Sequence, residues 1–390
     1  MSSQIIPNRI MEGASAPLAI YIHWPYCARI CPYCDFNVYK RKEDTALLPA
    51  ILRDLEHWRE LTGSRTITSI HFGGGTPSLM SPVQVGAIID KVADLWTFYA
   101  PEIALEANPH EMSAADWRGY RDAGLTRMSL GIQTFHDPAL KFLGRDHDGT
   151  TAQSALDLAL DIFPSVSADI IFGWAGQTPR MLADDLRRAL DAGTQHISTY
   201  QLTIEDGTAF AKAEGRGQAR AVNTDLSADL YDLVRDTLID AGFEHYEVSN
   251  FAKPSHRSRH NLAYWQGLDY VGVGPGAHGR VTQNNKRTAT IAHLTPGAYA
   301  RAVTETGAGI DSREVLSASD WASEYLLMGL RIDEGISLRR YHEILGEDLN
   351  EIELNALVED GLLTRADDNL KATSHGRLLL NAVTERLLLA

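Results

Sequence analysis

Between residues 18 and 202, short apolar runs alternate with longer stretches whose apolar positions recur every three to four residues. The runs "LAIYIH" (18–23), "ITSIHF" (67–72), "EIALEA" (102–107), "RMSLGI" (127–132), "VSADII" (166–171) and "HISTYQLTI" (196–204) are rich in branched and aromatic residues and predict strands. The stretches between them carry helix signals. Ser81-Pro82 reads as an N-cap followed by proline at the first helical position. Ser113 is a second N-cap, and Gly124 would end that helix. Further helices are expected over 149–161 and 178–193. Strand–helix units in succession predict parallel strands with right-handed crossovers. Either an open doubly wound sheet or a barrel satisfies that pattern.

The polar residues choose between them. Cysteines follow the first strand, "GGGTP" follows the second, Glu106 ends the third and Gln133 follows the fourth. Barrels assemble sites from the C-terminal ends of several strands, whereas a doubly wound sheet concentrates them at one switch point. The expected fold is therefore α/β: a partial (β/α)6 barrel over 18–205, after an N-terminal extension at 1–17. Residues 206–312 hold a helical pattern at 223–242, a strand-like "EHYEVSNFA" and the glycine-rich "YVGVGPGAHGRV". They are expected to extend the sheet and cover the barrel mouth. Residues 313–390 read as two helical patterns, a hairpin in "GLLTRADDNLKATSHG" and a final apolar helix, a small winged-helix-like α+β domain.

Composition narrows the function classes. The chain has 390 residues, 44% hydrophobic and 22% charged, enough to bury a core. Its net charge of −15 argues against nonspecific binding to nucleic acid. Ser317–Ala390 carries 14 Asp/Glu against 7 Lys/Arg, so the winged-helix shape is not expected to bind duplex DNA. No apolar run suits a signal peptide or a spanning helix, and a cytoplasmic protein is expected. The ending "RLLLNAVTERLLLA" reads as a helix docked on its own domain, with a membrane or dimer contact as the alternative.

All three cysteines, Cys27, Cys31 and Cys34, lie within eight residues. Three thiols make no disulfide framework, but at this spacing they converge on a metal. Zinc would need a fourth ligand, such as His23. A [4Fe–4S] cluster held by three cysteines leaves one iron with an open position, where a small molecule can bind.

Cys-x3-Cys-x2-Cys on a loop after a first strand, with Tyr33 before the last cysteine, resembles the radical S-adenosylmethionine (SAM) superfamily. The resemblance implies a [4Fe–4S] cluster on Cys27, Cys31 and Cys34. It implies SAM contacts from Tyr21, Tyr33, Gly74, Gly75, Thr76, Glu106, Gln133, Arg145 and Asp169. The order of "YIHWPYC…CPYCDF", "GGGTPS", "LEANP", "LGIQTF", "YQLTIEDGT", "HNLAYW" and "GPGAHG" is similar to the HemW haem chaperones, relatives of oxygen-independent coproporphyrinogen III oxidase. That likeness implies that haem is a ligand, acceptor haemoproteins are partners, and His260 in "HNLAYW" contacts the haem. His278 is a second histidine of interest. The residues alone equally allow His260 to hold a loop by hydrogen bonds. Homodimerisation and peripheral membrane association also belong to what the resemblance allows. The alternative function is the oxidase itself, a decarboxylating step of porphyrin biosynthesis. Against it, the oxidase pattern has a fourth cysteine where this chain has Phe36, and a longer segment ahead of the cysteines than the 26 residues here. The chain also reads Gly173-Trp174-Ala175 where the family has Gly-Leu-Pro, which is expected to reshape a loop at the barrel mouth, with Gln177 retained nearby.

Overall fold

The six expected strands lie side by side in chain order: β1 (Pro17–Trp24), β2 (Thr66–Gly74), β3 (Thr97–Ala107), β4 (Arg127–Gln133), β5 (Ser165–Phe172) and β6 (His196–Gln201), all parallel. The structure, a computed structural model, describes residues 16–40, 44–110 and 113–389. Most of the expected N-terminal extension lies outside those residues.

Beyond β6 a hairpin of β7 (Glu244–Glu247) and β8 (Asn250–Ala252) continues the sheet antiparallel. On the far side of β1 lies a seventh parallel strand, β9 (Tyr270–Val273), followed by antiparallel β10 (His278–Gln283), β11 (Lys286–Ala292) and β12 (Ile310–Val315). The sheet is thus a curled, unclosed barrel of 12 strands. The expected run at 196–204 ends early at Gln201, because the chain turns into a helix capped by Thr208. Strand β3 starts earlier than its apolar run suggests, at Thr97.

Helices α1 (Leu47–Thr62), α2 (Pro82–Leu95), α3 (Ala114–Asp122), α4 (Gly149–Ile162), α5 (Pro179–Asp191) and α6 (Thr224–Asp240) contribute apolar stripes to the main core. Their starts follow the sequence signals. Ser81 and Gln84 form a reciprocal capping box on α2, and Ser113 with Asp116 does the same on α3. Gly124, at φ +109°, takes the left-handed turn just past α3.

A parallel sheet covered on both faces usually reads as continuous apolar strands. Here the strands alternate. Leu18, Ile20, Ile22, Ile70, Phe72 and Leu105 point into the helix-covered core. Between them fall Tyr21, His23, Ser69, His71, Glu106, Ser129, Ser167 and Asp169 on the concave side, where Tyr21 bonds His23, His71 bonds Glu106, and Ser129 and Ser167 bond Asp169. A short helix, α7 (Arg259–Trp265), lies against that polar side.

The C-terminal part has its own hydrophobic cluster, including Leu326, Leu354, Leu357, Leu370 and Val383. A three-stranded antiparallel sheet, β13 (Ile336–Ser337), β14 (Leu363–Ala366) and β15 (Asn369–Ala372), packs with α8 (Ala318–Gly329), α9 (Leu338–Leu345) and α10 (Glu351–Glu359). Three helices precede the hairpin rather than the expected two. Gly346, in the left-handed conformation, ends α9, and the Asn350 side chain caps α10. The last helix, α11 (Leu380–Leu389), turns Leu380, Val383 and Leu387 into this cluster. No helix among the described residues is long and apolar enough to cross a membrane.

Candidate cluster and ligand site

The cysteine loop leaves β1 after Trp24. Cys27 is buried, and Cys31 and Cys34 are partly exposed. The Cys34 amide donates to the Cys31 carbonyl at 3.2 Å, which closes a turn between them. The loop is docked, not free. The Phe210 amide donates to the Pro32 carbonyl at 2.9 Å. Gly144, at φ +70°, lies so close that a Cβ there would meet Pro32 Cδ at 2.5 Å. Arg145 Nη1 donates to Cys31 Sγ at 3.3 Å, while Nη2 donates to the Gly131 carbonyl at 3.1 Å and to Asn108 Oδ1. Tyr33 packs on Phe210, its hydroxyl in reach of Cys31 and Arg145. Trp174 joins the same small apolar cluster with Leu143 and Phe210. The indole thus packs beneath the cysteine loop, and Gln177 Oε1 braces the turn by accepting from the Gly173 amide at 2.6 Å.

Burial pushes the Cys34 thiol up to about 11, and negative charge on Cys31 and Cys27 adds to the rise. A cation among the three thiolates would relieve that repulsion. His23 offers no fourth ligand, since Nδ1 lies 3.1 Å from the Tyr21 hydroxyl and Nε2 lies 2.9 Å from the Asn37 carbonyl.

Above the cysteines, the ends of β2 to β5 converge. Gly74 has φ +103°, and a Cβ there would lie 2.6 Å from the His23 ring. Gly75 and Thr76 run against the cysteine strand, their amides donating to the Trp24 and Tyr26 carbonyls at 2.7 and 2.8 Å. A Cβ on Gly73 would meet Tyr21 at 3.0 Å and Glu106 at 3.2 Å, so the glycines let this wall sit between those side chains. Glu106 Oε1 lies 2.9 Å from His71 Nε2. Asp169 accepts from Ser129 at 2.8 Å and Ser167 at 3.2 Å, yet burial pushes its carboxyl up to about 6. Gln133 adopts φ +66°, and its buried Oε1 has no hydrogen-bond partner.

His260 lies deeper. It is 1% exposed, stacks on His71 at 4.8 Å, and has both ring nitrogens engaged: Nδ1 lies 2.9 Å from Ser69 Oγ, and Nε2 lies 2.8 Å from the Tyr264 hydroxyl. Tyr264 and Trp265 instead line a cavity of about 570 Å³ that runs from the barrel mouth, at Tyr21, His23, Gly74 and Glu106, out to Phe36, His278, Trp321 and Met328.

Residues 21–189 match the model of the radical SAM superfamily, and residues 316–379 match the HemN C-terminal domain. Over 95% of this chain, it is 35% identical to "Heme chaperone HemW" of Mycobacterium tuberculosis and covers 95% of that protein. The chain belongs to the HemW family of the radical SAM superfamily. The HemW protein of Escherichia coli is 34% identical over 95% of this chain and 98% of its own length. The mouse protein "Radical S-adenosyl methionine domain-containing protein 1, mitochondrial" is 35% identical over 97% of this chain and 88% of its own. The solved structure of coproporphyrinogen III oxidase from Escherichia coli superposes with a TM-score of 0.80 over 97% of this chain and 91% of that one, at 21% identity, which shows a shared fold.

For this HemW chain, the sequence-predicted residues Tyr21, Tyr33, Gly74, Gly75, Thr76, Glu106, Gln133, Arg145 and Asp169 all fall around the barrel mouth. His260 is set beneath it. Sequence reading missed His71, Asn108, Ser129 and Ser167, and weighed His23 only as a zinc ligand; these residues position them. The available signal was the polar residue at every second place in strands that otherwise read as buried.

Proposed function

We propose that this protein binds haem and passes it to acceptor haemoproteins, and that Cys27, Cys31 and Cys34 hold a [4Fe–4S] cluster. The near full-length likeness to proteins called haem chaperones carries the haem half of this reading. The three-thiol loop without a fourth ligand carries the cluster half. A cluster held this way supplies an iron with a free coordination position and one-electron reducing power to a SAM molecule bound there.

The remaining roles belong to the chain. Arg145 donates to the Cys31 sulfur, which offsets negative charge at the cluster. Gly74, Gly75 and Thr76 keep one wall thin, and Glu106 and Asp169 place carboxylates where a ligand's amine or hydroxyls would meet them. Gln133 adds a free acceptor. Tyr21 and Tyr33 close the flanks and keep water from the loop.

The oxidase alternative has no comparable support. Phe36 is 63% exposed beside the cysteine loop and provides no ligand. Anaerobic purification with iron, sulfide and haem counts, then hemin titration, tests the proposal. About four irons and four sulfides per chain are expected, with saturable hemin binding. Zinc in place of iron refutes the cluster, and no saturable hemin binding refutes the chaperone reading. Protoporphyrinogen formed from coproporphyrinogen III with SAM and reductant would mean the oxidase.

A further inference from the structure

Four histidines gather near the barrel mouth, and three are already committed. His23 and His260 have both nitrogens in hydrogen bonds, and His71 pairs with Glu106 and stacks on His260. His278 differs. It begins β10, is exposed, and neither ring nitrogen has a hydrogen-bond partner among the described residues. It faces the outer part of the cavity of about 570 Å³, whose inner part is lined by Tyr21, His23, Gly74 and Glu106 of the barrel mouth.

The walls of that cleft suit a flat apolar ring. Phe36, Trp265, Trp321, Tyr325 and Met328 line it. Phe36 is an exposed aromatic on one of these walls. The two cleft arginines are already paired. Arg280 is bidentate to Glu324 at 2.8–3.1 Å, and Arg287 lies 3.1 Å from Asp269. Arg280 gives Glu324 its Nε and Nη2 and Gly279 its Nη1, and a guanidinium has five donors, so hydrogens remain on Nη1 and Nη2 for an anionic group.

Resting on the haem reading above, we propose that His278 is the protein ligand of the haem iron, and that the porphyrin lies in the cleft between the barrel mouth and α8. His260 is then a positioning residue. It holds Tyr264, which forms the cleft floor with Trp265, and it does not touch iron. Liganding by His260 would break its bonds to Ser69 and Tyr264 and draw a fully buried ring outward.

The test compares hemin with iron-free protoporphyrin IX on the full-length, anaerobically purified protein. Wild type should bind hemin more tightly than protoporphyrin. His278→Ala should lose at least tenfold in hemin affinity together with its imidazole-type spectrum, keep protoporphyrin affinity within about twofold, and recover the spectrum on adding free imidazole. The iron count and circular dichroism of each variant report folding separately. His260→Ala should keep the imidazole-type spectrum, and Trp321→Ala should weaken both porphyrins alike. If His278→Ala matches wild type in hemin affinity and spectrum, or His260→Ala alone loses the imidazole signature, the assignment is overturned. Failure of wild type to bind hemin at all would instead overturn the chaperone reading.

Discussion

Replacing Gly74 with alanine strikes the wall between the cysteine loop and the cleft. The new methyl would stand 2.6 Å from both Cε1 and Nδ1 of His23 and 2.9 Å from its Nε2. Carbon contacts normally settle at about 3.5–4.0 Å, so one group must move by roughly 1 Å. The backbone at φ +103° adds a second cost, about 1–2 kcal/mol for a residue with a Cβ. Overpacking contributes about 1–3 kcal/mol more, and the total is about 2–5 kcal/mol. The movement also spreads. His23 would give up Asn37, whose side chain bonds the Pro275 and Leu294 carbonyls at 3.0 and 2.8 Å and so ties down the turn before His278.

Urea unfolding of the iron-free protein measures the stability loss, and anaerobic equilibrium dialysis measures SAM binding. Gly74→Ala should fall in that range and weaken SAM binding at least tenfold. The double variant His23→Ala/Gly74→Ala removes the clash but keeps the φ strain. Relative to His23→Ala alone, the second substitution should therefore cost only about 1–2 kcal/mol. If Gly74→Ala stays within about 0.5 kcal/mol of wild type, or the two substitutions are additive, the close approach of His23 is not what demands glycine.

Asp54 is buried, with its carboxyl raised from 3.8 to about 6 by burial against bonds from the Gly309 amide and the Tyr299 hydroxyl. The native state therefore binds a proton between those values that the unfolded chain does not, and this contribution to stability falls as pH rises through the window. Urea titrations across it should show Asp54→Asn gaining on wild type by up to about 3 kcal/mol; a constant difference refutes the raised carboxyl. Single Cys27→Ser, Cys31→Ser or Cys34→Ser variants should lose the brown absorbance and acid-labile sulfide, and retention in any one removes that ligand. Glu247, fully buried, holds Arg331 at 2.6 Å, the Ser249 amide at 2.9 Å and Asn250 at 2.6 Å. Glu247→Ala should cost about 3–5 kcal/mol and speed limited proteolysis between β12 and α8; unchanged cleavage would mean that this contact does not fasten the C-terminal part.

The parallel core was legible because its strands and caps are local signals. Ser81, Ser113 and Gly124 act within one turn of their own helices. The mouth residues were legible for a related reason: strand ends converge in any curled parallel sheet. What stayed hidden depends on distant contacts. Tyr270–Val273 joins the sheet as a seventh parallel strand beside β1, a pairing across roughly 250 residues with no local signature. His260 stands in a short helical run whose spacing reads the same whether its ring meets a ligand or Ser69. Only the three-dimensional placement of β2 separates those cases.

The alternating strands account for both the plugged helix and the covered cleft. A concave face lined by Ser69, His71, Ser129, Ser167 and Asp169 cannot be filled by an apolar core, because each polar group left dry and unpaired costs about 1–3 kcal/mol. Helix α7 answers the lower part of that demand with His260 and the Ser258 hydroxyl, which reaches Glu102 at 3.3 Å. The upper part, with Glu106, Gln133 and Asp169, remains open to a polar ligand. Above it the cover is fastened by charge: Arg280 to Glu324, Arg257 to Asp333 at 2.7 Å and Arg331 to Glu247 link the sheet side to the segment from α8 to β13. Apart from the fully buried Glu247, these side chains keep partial access to water. The two hydrophobic clusters are separate, and aromatic residues Trp265, Trp321 and Tyr325 stand among these ion pairs along the cleft.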